Sequence, residues 1–126
     1  MILIDACRYS VLIYRIMSMQ RMCPRAKVDM RDRTQEAELF KALADPYRLR
    51  IIATLSRLKH EVCVCDFTDA FPLKQPAVSH HLRVLRDAGV VECERRGTWV
   101  YYKLADDLSQ RLGAALGDII SGRIAA

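Results

Sequence analysis

The stretch from Pro72 to Leu104 puts the tightest constraint on what this chain can fold into. Pro72-Leu73-Lys74-Gln75 reads as a turn, and Pro76 opens a helix that runs to Ala88 and stops at Gly89, a residue suited to a left-handed C-cap. Within that helix Val78, Leu82 and Leu85 recur at i, i+4 and i+7, so one face is apolar. Two strands follow, Val90 to Glu94 and Trp99 to Leu104, with Arg95, Arg96, Gly97 and Thr98 as the hairpin tip. A short helix from Val62 to Phe71 precedes the turn. Helix, turn, helix and basic hairpin, in that order, predict a winged helix-turn-helix: mainly α with a small β-hairpin.

Upstream, Thr34 is suited to cap a helix that is acidic in its first turn and carries Leu39, Phe40 and Leu43 on one side. Asp45-Pro46 restarts the chain, Asp45 as cap and Pro46 at the first helical position, where no N–H is needed. The following helix buries Ile51, Ile52, Leu55 and Leu58. Asp106 or Asp107 caps a last helix whose stripe of Leu108, Leu112, Ala115, Leu116, Ile119 and Ile120 is long for so small a domain. A monomer would leave much of that stripe wet, so a homodimer through the first and last helices is expected. Residues 1–30 stand apart: they hold all five methionines and lack clear caps. They read either as an N-terminal extension ahead of a later natural start at Met19, Met22 or Met30, or as a helix that packs on the dimer. Residues 31–126 are expected to form the DNA-binding and dimerisation domain.

The net charge is +5 and the isoelectric point about 9.1, which favours a polyanionic partner without identifying one. Five cysteines, an odd number, argue against a secreted disulfide framework. The apolar run at the N-terminus is interrupted by Asp5, Arg8 and Arg15, which makes it too short and too charged for a membrane span. It also lacks the layout of a signal peptide. A reducing, cytoplasmic setting with no membrane partner is the expectation, and there free thiols serve as ligands.

Opposite the apolar face, the Pro76 helix carries Gln75, Ser79, His80 and Arg83. Gln is suited to adenine, Arg to guanine, and Ser and His to bases or phosphates in a major groove. Lys74, Arg48 and Arg50 are candidates for phosphate contacts, and Arg95 and Arg96 for a backbone or minor-groove contact. Each of these side chains, taken singly, is as well explained by solvation of an exposed face. Their order and spacing together point to a double-stranded DNA operator. His81 lies nearer the apolar side and reads as a packed, hydrogen-bonded histidine.

Cys63 and Cys65 stand at i and i+2, which in a regular helix turns them about 200° apart. They can grip one ion only if the backbone there is extended or distorted, and the start of the short helix is where that freedom would lie. A helix start is also expected to lower thiol pKa. Paired thiolates select soft ions such as As(III), Sb(III), Cd(II) or Pb(II). Two small half-buried side chains with no ligand are the plain alternative. Cys93 reads as structural or incidental.

Glu61 to Phe67 (Glu-Val-Cys-Val-Cys-Asp-Phe) resembles the metal-box motif ELCVCDL of the ArsR/SmtB metalloregulators. Leu43 to Arg50 resembles that family's second-helix signature, Gln75 to Gly89 its recognition helix, and Arg95 to Tyr102 its wing, so the match runs in order over about residues 33–104. The resemblance implies a homodimeric repressor on a palindromic operator, with no permanent cofactor. Inducer binding at the third helix would weaken its grip on DNA. In the arsenic-sensing branch the two motif cysteines are the core ligands, which carries over to Cys63 and Cys65, with As(III) or Sb(III) as inducer. A third cysteine common in that branch is replaced here by Thr68, so a third thiolate would come from Cys23 or Cys7. The cadmium/lead branch uses such N-terminal cysteines, which keeps Cd(II) and Pb(II) open as inducers. The zinc branch uses Asp and His on the last helix, and no His follows His81.

An enzyme such as an arsenate-reducing thiol protein would want a Cys-x-x-Cys or a phosphate loop, and neither is present. A thiol-redox regulator would need a strained i, i+2 disulfide.

Overall fold

A computed structural model describes Ile13 and residues 26–122. Two compact units divide the chain, Met1–Arg31 and Asp32–Ala126. In the first, residues 26–30 take no regular secondary structure, and Arg31 pairs with Asp29 at 3.0 Å.

The second unit begins with α1, Thr34–Leu43. Thr34 is not its cap. Asp32 Oδ1 accepts from the Thr34 amide at 2.9 Å and from its hydroxyl at 2.5 Å, which draws Thr34 into the first turn. Helix α2, Pro46–Leu58, starts as expected: Asp45 Oδ1 accepts from the amides of Tyr47 (2.8 Å) and Arg48 (3.1 Å), two of the donors a helix start leaves orphaned. It ends on Lys59 in left-handed backbone, φ 56°.

The expected Val62-to-Phe71 helix is instead two elements. Val62–Cys63 form a short strand, β1, and α3 spans only Val64–Ala70. Residue pattern alone does not separate these states. A β-branched pair flanking Cys63 is compatible with extended backbone, and pairing with a distant strand decides it. Helix α4, Gln75–Asp87, places Val78, Leu82 and Leu85 in the core with essentially no exposure. Gly89 follows at φ 71°, the left-handed exit expected of it, and Arg111 closes the corner by donating to the carbonyls of Gly89 (2.7 Å) and Ala88 (3.1 Å).

Strands β2, Val91–Arg96, and β3, Trp99–Leu104, form the hairpin. Arg95 and Arg96 sit in β2, opposite Val100 and Trp99, so the tip is only Gly97-Thr98. The sheet is antiparallel with order β1-β3-β2, and Val62 and Cys63 face Tyr102 and Tyr101. Helix α5, Leu108–Ile120, buries Leu108 but leaves Leu116, Ile119 and Ile120 exposed. Asp107 precedes it without a side-chain capping bond. Arg33, just before α1, pairs with Asp118 of α5. One core joins Ile51, Leu55, Phe67, Val78, Leu82, Leu85, Val90 and Val91, and each large aliphatic in it contributes on the order of 1.5–3 kcal/mol of burial. The architecture is a winged helix-turn-helix. Among the described residues no helix is long and apolar enough to cross a membrane.

Candidate nucleic-acid interface and thiol site

Helix α4 inserts its apolar face into the core and so holds its other face out to solvent. Gln75, His80 and Arg83 are exposed there, and Ser79 is half-buried beside them. Lys74, also exposed, precedes the helix with no side-chain capping bond, while its carbonyl accepts from the amides of Ala77 (3.0 Å) and Val78 (3.2 Å).

The angle of α4 is fixed by a polar joint. His81 Nδ1 lies 3.7 Å from Asp45 Oδ1 and 3.5 Å from Arg48 Nη1, with the Tyr47 ring 5.8 Å away. Burial raises the Asp45 carboxyl, but the amides of Arg48 and Tyr47 and the charges of His81 and Arg48 outweigh it and leave the group below its ordinary value. Arg48 also donates to the carbonyls of Ala42 (2.6 Å) and Lys41 (3.3 Å) at the end of α1. Its guanidinium is therefore a structural clamp between α1 and α4 rather than the phosphate contact expected of it. Arg50 stacks over Tyr47, 5.4 Å from the ring centre, and remains exposed.

The two wing arginines differ. Arg95 donates from Nε to the Gly97 carbonyl at 3.2 Å and stays on the surface. Arg96 turns back across the sheet: it lies 4.9 Å over the Tyr101 ring and pairs with Glu61 at 2.6 Å and Glu94 at 2.9 Å. Glu94, first through a hydrogen bond, and Glu61 raise the Arg96 guanidinium, while Arg96 in turn lowers the Glu94 carboxyl. That Glu61 and Tyr101 meet Arg96 is not legible in the sequence, because the contact exists only once β1 joins the sheet.

The strand-to-helix break falls between the cysteines. Cys63 ends β1 in extended backbone (φ −71°, ψ 147°) and is buried, whereas Cys65 is the second residue of α3 and half-buried. This break removes the opposed arrangement of a regular helix and sets the two cysteines on either side of a strand-to-helix junction. The neighbouring Cys63 thiol, then burial, then the Cys63 and Asp66 charges raise the Cys65 thiol above its ordinary value, against a lowering bond from the Asp66 amide. The lowered thiol pKa expected at a helix start is thus reversed at Cys65, whose neighbours are a second thiol and a carboxylate rather than a cation. Thr68 turns its hydroxyl back to the Val64 carbonyl at 3.0 Å. Among the described residues no group of three His, Cys, Asp or Glu is arranged to hold a metal, so this site offers two sulfurs. Cys7 and Cys23 lie outside the described residues. Cys93, exposed on β2, meets Arg86, whose guanidinium it raises by a hydrogen bond.

Residues 45–92 match the family described as bacterial regulatory protein, arsR family. A transcriptional repressor SmtB homolog of Synechocystis is 46% identical over 67% of this chain and 62% of its own length. The arsenic resistance transcriptional regulator ArsR1 of Pseudomonas putida is 42% identical over 65% of this chain and 63% of its own. This chain therefore spans slightly less than two thirds of either relative. A cadmium resistance transcriptional regulatory protein CadC homolog of Staphylococcus aureus is 38% identical over 70% of this chain and 74% of its own length. Among solved structures, NolR from Sinorhizobium fredii superposes with a TM-score of 0.56 at 31% identity, covering 79% of this chain and 97% of that one. The Synechocystis, Pseudomonas putida and Staphylococcus aureus relatives are described as regulators of transcription.

Proposed function

The chain belongs to the arsR family of bacterial regulatory proteins, and from that premise we propose that it is a cytoplasmic, homodimeric transcriptional repressor that releases a palindromic operator when As(III) or Sb(III) binds Cys63 and Cys65. One observation carries this reading: the β1–α3 break brings the two thiols together on the element that supports α4. Phe67 of α3 is buried in the same core as Val78 and Leu82 of α4. An ion drawn onto both sulfurs strains that break, and α4 is packed directly on the helix beyond it.

The operator would be read by Gln75, Ser79, His80 and Arg83, with Lys74 and Arg95 at phosphates. A dimer paired through α1 and α5 accounts for the exposed Leu116, Ile119 and Ile120. It would set two α4 helices about 34 Å apart, one turn of DNA. Coupling of this kind is typically worth about 5- to 150-fold in affinity.

The state of the thiols favours the metalloids over Cd(II) and Pb(II). Arsenous acid is neutral and carries hydroxyls, so each S–As bond forms from a neutral thiol with loss of one water. A divalent cation must expel the thiol protons, which the raised Cys65 pKa opposes. The third position on the metalloid would be filled by a retained hydroxyl.

The test is an operator-release titration with arsenite, antimonite, Cd(II), Pb(II) and Zn(II) on the wild type, Cys63→Ser and Cys65→Ser. Both variants should bind operator normally and no longer release it under arsenite. Normal release from Cys63→Ser would put the sensor elsewhere.

A further inference from the structure

We propose that Glu61 and Arg96 form a positioning latch that ties the wing to the thiol site, so that ion capture moves the wing as well as α4. This rests on the reading of Cys63 and Cys65 as the inducer site. In register, Cys63 faces Tyr101 and Tyr101 faces Glu94, one rung across all three strands. Directly opposed residues on neighbouring strands share a face of the sheet. Arg96 lies over Tyr101 in that rung and reaches from Glu94 on its own strand to Glu61, two residues before Cys63.

The strand that ends in the sensing cysteine is therefore bonded to the wing twice, through backbone pairing to β3 and through the Glu61 carboxylate to β2. Strand β1 is only two residues long and both residues are buried, so a pull on Cys63 is carried through its pairing with β3 and the core around Val62. Movement there shifts Glu61 and the backbone opposite Tyr101 together. Arg96 then loses a partner, and the hairpin bearing Arg95 loses its fixed position.

Glu61 and Arg96 are one third and one half exposed, and pairs this open are worth a factor of about 2 to 5 in an equilibrium. Trp99, the chain's single tryptophan, is 55% exposed and directly opposite Arg96, which makes it a reporter of the wing that needs no DNA.

The experiment measures operator affinity by fluorescence anisotropy for wild type and Glu61→Gln, each without ion and with saturating arsenite. Trp99 emission is followed in the same arsenite titration without DNA. The latch predicts that arsenite shifts Trp99 emission in the wild type. It predicts that Glu61→Gln starts near the ion-loaded emission and loses about 2- to 5-fold of its arsenite-driven drop in operator affinity. Glu61→Lys, with like charge beside Arg96, goes further the same way. A merely destabilised protein would weaken both affinities equally and keep their ratio. Wild-type release with an unchanged ratio and unchanged Trp99 response in Glu61→Gln overturns the latch alone. A wild type that keeps its operator under arsenite overturns the functional reading and the latch with it.

Discussion

Replacing Asp45 by alanine removes the joint on which the entry to α2 and the angle of α4 both depend. The lost cap bonds to Tyr47 and Arg48 are worth about 1 kcal/mol, within a range of roughly 0.5–2. The 3.7 Å contact with His81 adds at most a few tenths, because solvent screens it. Asp45→Ala should therefore cost about 1–2 kcal/mol. Asp45→Asn, which keeps an accepting oxygen, should cost a few tenths. Urea unfolding at one fixed protein concentration measures both, since dimerisation makes stability concentration-dependent. The pH dependence has a definite sign. The Asp45 carboxyl is lowered in the folded protein, so its charge-dependent contribution is complete above the unfolded value of about 3.9. It fades as pH falls from there through the folded value. The gap between wild type and Asp45→Asn should thus be present at neutral pH and close in acid. Equal stabilities for the Ala and Asn variants would refute the capping argument.

Leu85→Ala, at a site with no exposure, should cost about 2–5 kcal/mol in the same unfolding assay. Gly89→Ala should destabilise more than Gly97→Ala: both positions have φ above 60°, but a Cβ on Gly89 would stand 3.2 Å from Arg111 Nη1 whereas one on Gly97 meets nothing within 4 Å. The left-handed backbone alone costs an alanine about 1–2 kcal/mol, so Gly97→Ala gives the baseline. Arg83→Ala should weaken operator binding by about 1–3 kcal/mol and relax discrimination among sequences, whereas Lys74→Ala should weaken all sequences alike and flatten the salt dependence. Between pH 6 and 8, the apparent affinity for Cd(II) should rise with pH because the raised Cys65 thiol must lose its proton, while arsenite affinity stays nearly flat. Calorimetric titrations in two buffers at each pH measure the proton release.

Elements whose ends are written in local chemistry were legible in the sequence. Asp45-Pro46 fixes the start of α2, Val78, Leu82 and Leu85 fix the buried face of α4, and Gly89 marks its exit. What was not legible depends on pairing between distant residues. Val62-Cys63 reads as helix until Tyr101 and Tyr102 are brought beside it. The same pairing turns Cys63 into a strand residue, brings the two thiols together and supplies Arg96 with Glu61. Two expectations failed because a neighbour competed for the group. Arg48 is occupied by the carbonyls that end α1, and Thr34 is drawn into the helix by Asp32. The sequence identified Cys63 and Cys65 as the pair to watch, but their protonation follows from contacts that only the fold supplies.

The most direct test of the whole account is one titration of operator-bound protein with arsenite, recorded at once by ultraviolet sulfur–arsenic absorbance and by anisotropy of labelled operator. The account predicts that both signals break at the same ratio of ion to thiol pair, with the operator leaving as the sulfurs fill. Saturated absorbance with the operator still fully bound would contradict it.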